Sequence, residues 1–384
     1  MTNPPFAAEP GAFSGLSPVR VSSPADVLAV VPHLLGFHPD HSFVVIGAGR
    51  PGERVEVAFR YDLPDPPDAG QAADIAEHAA AVLRQRKLST VIGVGYGPGD
   101  RVTPVADALA GELRRGGPRL HELMRVENGR YWSYLCANPD CCPPDGVRFD
   151  VQVNPATAAM TVAGLVAYPD RAALAGTLAP VTGAAAAAME RATSRARARE
   201  AELIAQAPGP SGRPASGPVL EAGRRAVADA LTVYRGGGRF EDDDQLAWLS
   251  VMLAHFPVRD DAWSRMDPEH RDAHLRLWTE VVRRARRRYL AAPASLLAFT
   301  AWQSGEGALA NIAIDRALAA DPDYSLAHLL RDIMDAGVPP SAARLPMTPD
   351  QVAASYELSE TAAVRRPPRP AGRARRVGRR RRAR

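Results

Sequence analysis

The stretch that decides the fold reads Leu120-His-Glu-Leu-Met-Arg-Val-Glu-Asn-Gly-Arg-Tyr-Trp-Ser-Tyr-Leu135. Its centre is Asn128-Gly129, the pair preferred in a two-residue type I′ turn because both positions take a positive φ there. Apolar and aromatic residues on either side of the turn are typical of two antiparallel strands. The predicted hairpin fixes a register, whose pairs are Glu127 with Arg130, Arg125 with Trp132, and His121 with Cys136.

The segments before the hairpin predict a mixed sheet with helices on its faces. Ser23-Pro24-Ala-Asp26 has the form of a capping box and begins a helix that ends at Gly36. Strands and helices then alternate, which gives an α/β domain of about five strands with strands two, three and four parallel and strands one and five opposite to them. The first three strands are Ser42–Ala48, Val55–Leu63 and Thr90–Gly95, and the two later helices are Ala73–Lys87 and one begun by Thr103-Pro104.

From Pro155 onward the pattern is helical. The run Ala310–Pro322 resembles the second half of a tetratricopeptide repeat, because small and apolar residues share one helix face before a proline. We therefore expect an all-α, tetratricopeptide-like domain after the α/β domain. The predicted boundaries are 1–18 for a disordered lead, 19–154 for the α/β domain, 155–207 for a helical extension, 208–218 for a linker, 219–340 for a helical bundle and 341–384 for a disordered Arg-rich tail.

The charge of the chain is unevenly distributed. Arg365–Arg384 contains eleven arginines and no acidic residue, and the remainder carries 36 basic against 43 acidic residues, a net of −7. The tail could bind nucleic acid by releasing counterions, but it lacks the interleaved aromatic residues that stack on bases. Lys87 is the one lysine among 47 basic residues, and this preference for arginine is typical of a GC-rich bacterium.

The three cysteines, Cys136, Cys141 and Cys142, lie within seven residues. Thiolates bind zinc, and the predicted register adds His121 as a fourth ligand, so a structural zinc site is one hypothesis. Adjacent cysteines are expected to point apart, which makes it difficult for Cys141 and Cys142 to hold one ion together. The alternatives are thiols buried as small apolar residues and a disulfide, which a reducing compartment disfavours.

Three loops are expected to meet at the end of the sheet opposite the cysteines, where open α/β sheets bind ligands. One loop carries His38 and His41 at a spacing that suits a metal ion, with Asp62, Asp65 and Asp100 nearby; a solvated connection is the alternative. Another loop follows a strand and precedes a helix, as a phosphate-binding loop does, but it fits neither the G-x-G-x-x-G nor the P-loop spacing. Its candidate cofactor-binding residues are Gly95, Gly97, Gly99 and Asp100.

Several segments together resemble the bacterial family called domain of unknown function 4192, over about residues 19–340. No activity or catalytic residue of that family is established, so the resemblance implies no reaction. It includes the cysteine loop, which points to a shared role for these thiols. The segments are Leu34–Pro39 leading into Ser42–Val45, Arg130–Cys136 with Cys141–Pro143, Val258–Asp260 with Trp263, and Leu296–Trp302 with Ala317–Pro322.

These features predict a cytoplasmic, non-enzymatic binding or regulatory protein whose helical domain offers a surface to a protein partner. No apolar run reaches the roughly 18 residues that a membrane span needs, so no membrane association is expected. One alternative is an enzyme or nucleotide-binding module at the sheet end that carries His38, Asp62 and Asp100. Another is nucleic-acid association through Arg365–Arg384.

Overall fold

The sheet of the α/β region has eight strands in a computed structural model that describes residues 6–8, 19–50, 54–206, 216–342 and 347–356. The strand order is β2-β1-β4-β3-β5-β6-β7-β8. Five of these strands are those predicted, and the other three are short. The strands are β1 (Phe6–Ala8), β2 (Val19–Val21), β3 (Ser42–Gly49), β4 (Arg54–Asp62), β5 (Thr90–Tyr96), β6 (Arg119–Glu127), β7 (Arg130–Ser133) and β8 (Val147–Arg148).

The hairpin forms as predicted. Asn128 and Gly129 have φ values of 50° and 70°, the left-handed conformation that a type I′ turn requires. Glu127 pairs with Arg130 and Arg125 with Trp132, which confirms that part of the register. The ladder ends where Met124 pairs with Ser133, so the predicted pair of His121 with Cys136 does not form.

The strand directions are also as predicted. β3 is antiparallel to both of its neighbours, β4 and β5, while β5 and β6 are parallel and β7 runs opposite to β6. The mixed α/β class is therefore confirmed. Because β3 runs opposite to β4 and β5, the start of β3 and the ends of β4, β5 and β6 all lie at one end of the sheet.

Helices cover both faces of the sheet. They are α1 (Pro24–Leu35), α2 (Ala69–Gln85) and α3 (Gly99–Arg114). The capping box of α1 forms, with the Asp26 amide donating to Ser23 Oγ at 3.2 Å and Gly36 in the left-handed conformation after the last turn. Val44 and Ile46 of β3 pack on the face of α1, and Phe43 and Val45 pack on the face of α2 and α3. This alternation is what a strand buried on both sides requires.

α3 begins earlier than the Thr103-Pro104 signal predicts. The helix starts at Gly99, and Pro104 lies inside it. Pro104 is the sixth residue of the helix, beyond the first turn whose N–H groups have no intrahelical acceptor, so the helix forms without one backbone hydrogen bond there. The turn into α3 uses Gly97, whose φ of 146° is accessible to glycine but not to residues with a side chain.

A helical region follows the sheet, as predicted, and one hydrophobic cluster extends from α1 and the sheet through this region to its last helix. α12 ends directly before Asp321-Pro322, where the half-repeat predicted a break. The helices are α4 (Pro155–Val162), α5 (Arg171–Gly176), α6 (Gly183–Gln206), α7 (Ser216–Arg235), α8 (Asp243–Met252), α9 (Phe256–Ser264), α10 (Arg271–Arg284), α11 (Ala291–Gln303), α12 (Gly307–Ala320) and α13 (Ser325–Asp335).

Two predicted disordered segments contain regular structure. Phe6–Ala8 in the predicted lead pairs with Val19–Val21 and touches β4. Residues 349–356 in the predicted tail form a helix, in which Val352 is buried and the Tyr356 hydroxyl donates to an Asp260 carboxylate oxygen. These tertiary contacts stabilise segments whose composition alone does not predict structure. Most of the predicted linker, and all of Arg365–Arg384, lie outside the described residues.

Candidate functional sites at the sheet end and in the cysteine loop

The three loops expected at one end of the sheet do meet there. The Leu63 amide donates to the His41 carbonyl oxygen at 2.9 Å, and a Cβ placed on Gly97 would lie 3.9 Å from His41 Cα. Arg101 joins them, because its guanidinium reaches His41 Nδ1 at 3.2 Å and the Leu63 carbonyl oxygen at 2.9 Å. A cation therefore occupies the place next to His41 where a metal ion would have to bind.

The predicted carboxylates at this end are dispersed. Asp62 pairs with Arg60, and Asp65 lies 3.4 Å from the Arg101 guanidinium. Asp100 is exposed in the first turn of α3. Among the described residues, the cysteines are the one group of three or more His, Cys, Asp or Glu side chains whose ligand atoms lie close enough together to hold a metal ion.

The glycines of β5 and of the turn after it are explained by packing. A Cβ on Gly95 would lie 2.2 Å from Val102 Cγ1 of α3, and one on Gly99 would lie 2.8 Å from Arg125 Nη1. Only glycine lets α3 approach the strand this closely. Asp100 adds a negative charge at the helix N-terminus, where a phosphate would otherwise be attracted. Nucleotide binding at Gly95, Gly97, Gly99 and Asp100 thus stays a prediction. Close packing against Val102 and Arg125 is an alternative explanation for Gly95 and Gly99.

A pocket of about 250 Å³ opens beside these loops, where β5 ends and the β6–β7 turn begins. We call it the sheet-end pocket. α1 supplies one apolar wall and the segment 149–152 supplies another, with His38 between them. Neither Asp62 nor Asp100 lines it. Its lining residues are Leu28, Pro32, His38, Pro39, Tyr96, Gly129, Phe149, Asp150, Val151 and Gln152.

Tyr96 is the polar residue buried at this pocket. The residue is 9% exposed, and its hydroxyl is buried without a hydrogen-bond partner within the described part of the chain. Burial strongly raises the pKa of Tyr96, so the phenol stays neutral and can donate or accept. Burial, together with the nearby His33, lowers the pKa of His38, so this imidazole is neutral near pH 7.

The loop between β7 and β8 carries the cysteine group, which we define as Cys136, Cys141 and Cys142. This loop starts after Ser133, which pairs with Met124, and returns to β8 beside Tyr131, so it is not at the opposite end of the sheet as expected. The three sulfur atoms all lie within 4.8 Å of one another, and no disulfide joins them. The expectation that Cys141 and Cys142 point apart is wrong. Both of their amides donate to the Asn138 carbonyl oxygen, at 3.2 and 2.7 Å, and this tight turn directs both thiols towards Cys136.

Hydrogen bonds set the protonation of these thiols. The bond from the Cys142 thiol, together with the backbone of Asn138, lowers the pKa of Cys136. Burial and the bond to Cys136 raise the pKa of Cys142 to about 12. The Cys136 amide also donates to Ser133 Oγ at 3.2 Å, and that hydroxyl donates to Glu122 Oε1 at 2.8 Å. The pKa of Cys136 is thus lower than that of Cys142.

The loop that carries the cysteines is fixed by Trp132. Its indole N–H donates to the Pro144 carbonyl oxygen at 2.9 Å, and its ring stacks 3.9 Å from the Arg125 guanidinium carbon. Gly146 lies against the ring with a φ of 76°, and a Cβ there would lie 2.5 Å from the indole. Trp132 therefore fixes the C-terminal end of the loop.

His121 is not part of the cysteine group. It is the extra residue at a bulge in the β5–β6 ladder, between Leu120, which pairs with Val91, and Glu122, which pairs with Ile92. Its ring nitrogens are not among the ligand atoms that lie within 4.8 Å of one another. A zinc ligand role for His121 stays a prediction from the sequence.

A family model described as Domain of unknown function (DUF4192) matches residues 24–341, most of the chain. The chain belongs to this family. The match covers the sheet and the helical region together, so both sites lie within the DUF4192 domain. The comparisons with curated proteins and with solved structures found no match.

Tyr96 and the segment 149–152 of this DUF4192 chain escape prediction from the sequence. Tyr96 ends a strand that is buried along its whole length, where an aromatic residue looks like ordinary core. A hydroxyl at the carboxyl end of a buried strand is the signal that could have indicated a site. The segment 149–152 reaches the pocket because β8 pairs with β7, and a two-residue strand has no reliable sequence pattern.

Proposed function

We propose that this DUF4192 protein is a non-enzymatic binding and regulatory protein that takes a compact small molecule in the sheet-end pocket. The observation that carries the proposal is the Tyr96 hydroxyl, buried beside a pocket without a partner among the described residues. Leaving a buried hydroxyl unpaired costs about 1–3 kcal/mol, and a ligand that hydrogen-bonds to it recovers this cost. An unpaired buried polar group in a native structure calls for an explanation, and a ligand in the adjoining pocket supplies one.

The lining residues favour a particular chemistry. Leu28, Pro32 and Phe149 suit an apolar body, and the Asp150 carboxylate suits a cation or a hydrogen-bond donor. Arginine and lysine are absent from the described residues that line the pocket, which disfavours phosphates and carboxylates. We therefore propose a small amine or alcohol with an apolar body as the ligand class.

The same geometry argues against the enzyme alternative. An acid–base pair with His38 needs a carboxylate within hydrogen-bond reach, and Asp150, which lines the pocket, accepts from the Gln152 amide and makes no hydrogen bond to His38 among the described residues. Asp62 and Asp100 do not line the pocket, and Asp62 already pairs with Arg60. Binding a ligand without catalysing a reaction is the simpler role for these side chains.

The pocket is connected to the helical region through α1. Leu28 and Pro32 of α1 line the pocket, and Leu28 belongs to the hydrophobic cluster that continues through the helices. Next to His38, Phe37 pairs with Tyr168, and the His38 amide donates to the Tyr168 carbonyl oxygen at 2.9 Å. Occupancy of the pocket can thus shift α1 and the chain leading to α5, which is how we propose that binding regulates the helical surface.

We place the protein partner on the helical region. Phe256 at the start of α9 is 53% exposed, although its ring contacts Tyr324 and the Arg259 guanidinium. Exposed aromatic side chains held rigidly by neighbours are typical of interface anchors. Nucleic-acid association through Arg365–Arg384 remains a separate proposal, since that segment lies outside the described residues.

A cytoplasmic location also remains a proposal. It is supported by three cysteines that form no disulfide. Within the described ranges, no helix has both the length and the apolarity to cross a membrane.

The ligand class is tested with four molecules that share one apolar body: benzylamine, benzyl alcohol, toluene and benzoate. Binding to the full-length protein is followed by NMR chemical-shift changes at millimolar ligand. We expect benzylamine to bind most tightly, then benzyl alcohol, with toluene weaker and benzoate weakest. Tyr96→Phe should weaken the two donor-bearing ligands about 3–10-fold, one hydrogen bond's worth, and leave toluene unchanged.

The control is Tyr289→Phe, which removes a tyrosine hydroxyl in the helical region, away from the pocket. It should leave all four affinities unchanged. The proposal fails if no member of the series shifts residues around the pocket, or if Tyr96→Phe and the unmodified protein bind benzyl alcohol equally.

A further inference from the structure

We infer that the cysteine group binds one thiophilic metal ion, Zn²⁺ in the first place, through three thiolates and leaves the fourth position to an exchangeable ligand. This inference does not depend on the proposed function, because the cysteine group and the sheet-end pocket share no residue. A structural zinc site closed by His121, which the sequence suggests, is a different arrangement.

The sulfur positions carry the inference. A Zn–S bond of about 2.3 Å in tetrahedral geometry places two sulfurs of one ion about 3.8 Å apart. The three Sγ atoms already lie within 4.8 Å of one another, so an ion is enclosed by side-chain adjustments of about 1 Å or less. Three thiols gather this closely only because the Asn138 turn brings Cys141 and Cys142 to the same side.

The surroundings suit a cation. The Cys136 amide donates to Ser133 Oγ, and that hydroxyl donates to Glu122 Oε1, so a carboxylate stands behind the first ligand. These hydrogen bonds fix the backbone that carries the first ligand. Cys141 is exposed, which gives an ion direct access from solvent.

The number of ligands decides the type of site. Structural zinc sites are closed by four protein ligands, whereas sites with three protein ligands keep a position for water or another small ligand. Within the described residues, the group holds three cysteines and no fourth His, Asp or Glu. Binding then replaces three S–H bonds by three Zn–S bonds, the three protons pass to the buffer, and one water stays on the ion.

The alternative outcome is a disulfide. It would join two of the three sulfurs at about 2.0 Å and leave one thiol over. All three cysteines are free in the structure. The tight turn brings all three sulfur atoms together, as one shared ion requires and a disulfide between two of them does not. A disulfide between Cys136 and either partner would overturn the inference.

The test uses the full-length protein, purified under reducing conditions, freed of metal with a chelator and titrated with Zn²⁺ and Co²⁺. We expect one metal ion per chain by elemental analysis. Bound Co²⁺ should show the sulfur-to-metal charge-transfer and intense visible bands of a tetrahedral thiolate site. A thiol reagent should count three thiols in the metal-free protein, and bound Zn²⁺ should protect all three thiols from the reagent.

Variants identify the ligands. Cys136→Ser, Cys141→Ser and Cys142→Ser should each weaken Co²⁺ binding by at least about 100-fold, since each removes one bond of the site. His121→Ala should leave affinity and spectrum unchanged. Circular dichroism of each metal-free variant separates loss of a ligand from loss of the fold, and imidazole added to the Co²⁺ form should shift the visible bands by entering the fourth position.

Three freely reacting thiols in the presence of stoichiometric Zn²⁺ would overturn the metal site. A spectrum unmoved by imidazole, together with loss of Co²⁺ binding in His121→Ala, would overturn the open position and restore His121 as the fourth ligand. None of these results bears on ligand binding at Tyr96.

Discussion

The sheet-end pocket and the cysteine loop are built in opposite ways. At the pocket, buried strands and α1 enclose a hydroxyl that has no partner among the described residues, and the chemistry is visible only after folding. In the loop between β7 and β8, the reactive groups lie within seven residues of sequence. A sequence motif therefore indicates a site whose ligands are close in sequence, whereas a site that the fold assembles from distant segments has no motif. Four predictions test this contrast.

The largest effect is expected from Gly95→Ala at the pocket end. Its Cβ would meet Val102 Cγ1 at 2.2 Å, and overpacking of this kind costs about 2 kcal/mol. Gly111→Ala is the matched control, since its Cβ meets only the Arg114 guanidinium at 4.0 Å within α3. The control should raise the free energy of unfolding by about 0.5–1 kcal/mol, as glycine does poorly inside a helix. Equal effects in urea denaturation would show that β5 glycines do not serve packing.

Gly146→Ala, in the loop that carries the cysteines, is expected to lower the free energy of unfolding by about 1–2 kcal/mol. It combines a positive φ with a clash of 2.5 Å against Trp132. Gly164→Ala has a similar φ of 78° and nothing within 4 Å, so it measures the backbone cost alone. The difference between the two free energies of unfolding is the contribution of the Trp132 contact. A larger loss in Gly164→Ala would contradict the role of Trp132 in holding the loop.

Tyr96→Phe should change stability in the favourable direction, by up to about 1 kcal/mol, because it removes a buried hydroxyl that has no partner among the described residues. Tyr234→Phe is the counterpart, since the Tyr234 hydroxyl donates to Glu280 Oε2 at 2.6 Å. That variant should lose about 1–2 kcal/mol. If both variants destabilise alike in thermal unfolding, the Tyr96 hydroxyl has a partner and the pocket loses its main support.

The smallest effect concerns pH at His38. Its pKa in the folded protein is lowered from 6.5, so the unfolded chain binds a proton more readily than the folded chain does. Stability should therefore fall as the pH drops through about 6.5, and His38→Asn should remove part of that fall. His328→Asn, at an exposed histidine of α13, is the control and should leave the pH profile unchanged. Identical slopes for His38→Asn and the unmodified protein between pH 7 and 5 would contradict the lowered pKa.

Local signals account for much of the fold. Asn128-Gly129 predicts the turn and two pairs of the register, and Ser23 with Asp26 predicts the start of α1. These features depend only on residues that are close together in the chain, so they can be predicted from the sequence alone. The bulge at His121 depends instead on how β6 fits β5, and no local pattern marks it.

The sites follow the same rule. The sequence indicates the cysteines as a site, although it cannot show that the Asn138 turn gathers all three thiols. At the sheet end it proposes Asp62 and Asp100, which the fold leaves outside the pocket, and it passes over Tyr96. Side chains converge there from α1, β5 and the segment after β8, and this convergence is a property of the tertiary structure alone.

The most direct test of the central claim is a crystal structure of the protein soaked with benzylamine. We expect the aromatic ring to lie between α1 and Phe149, with the amine near Asp150 and within about 3.2 Å of the Tyr96 hydroxyl. Benzylamine bound only elsewhere, or Tyr96 paired with another protein group while the pocket stays empty, would contradict it.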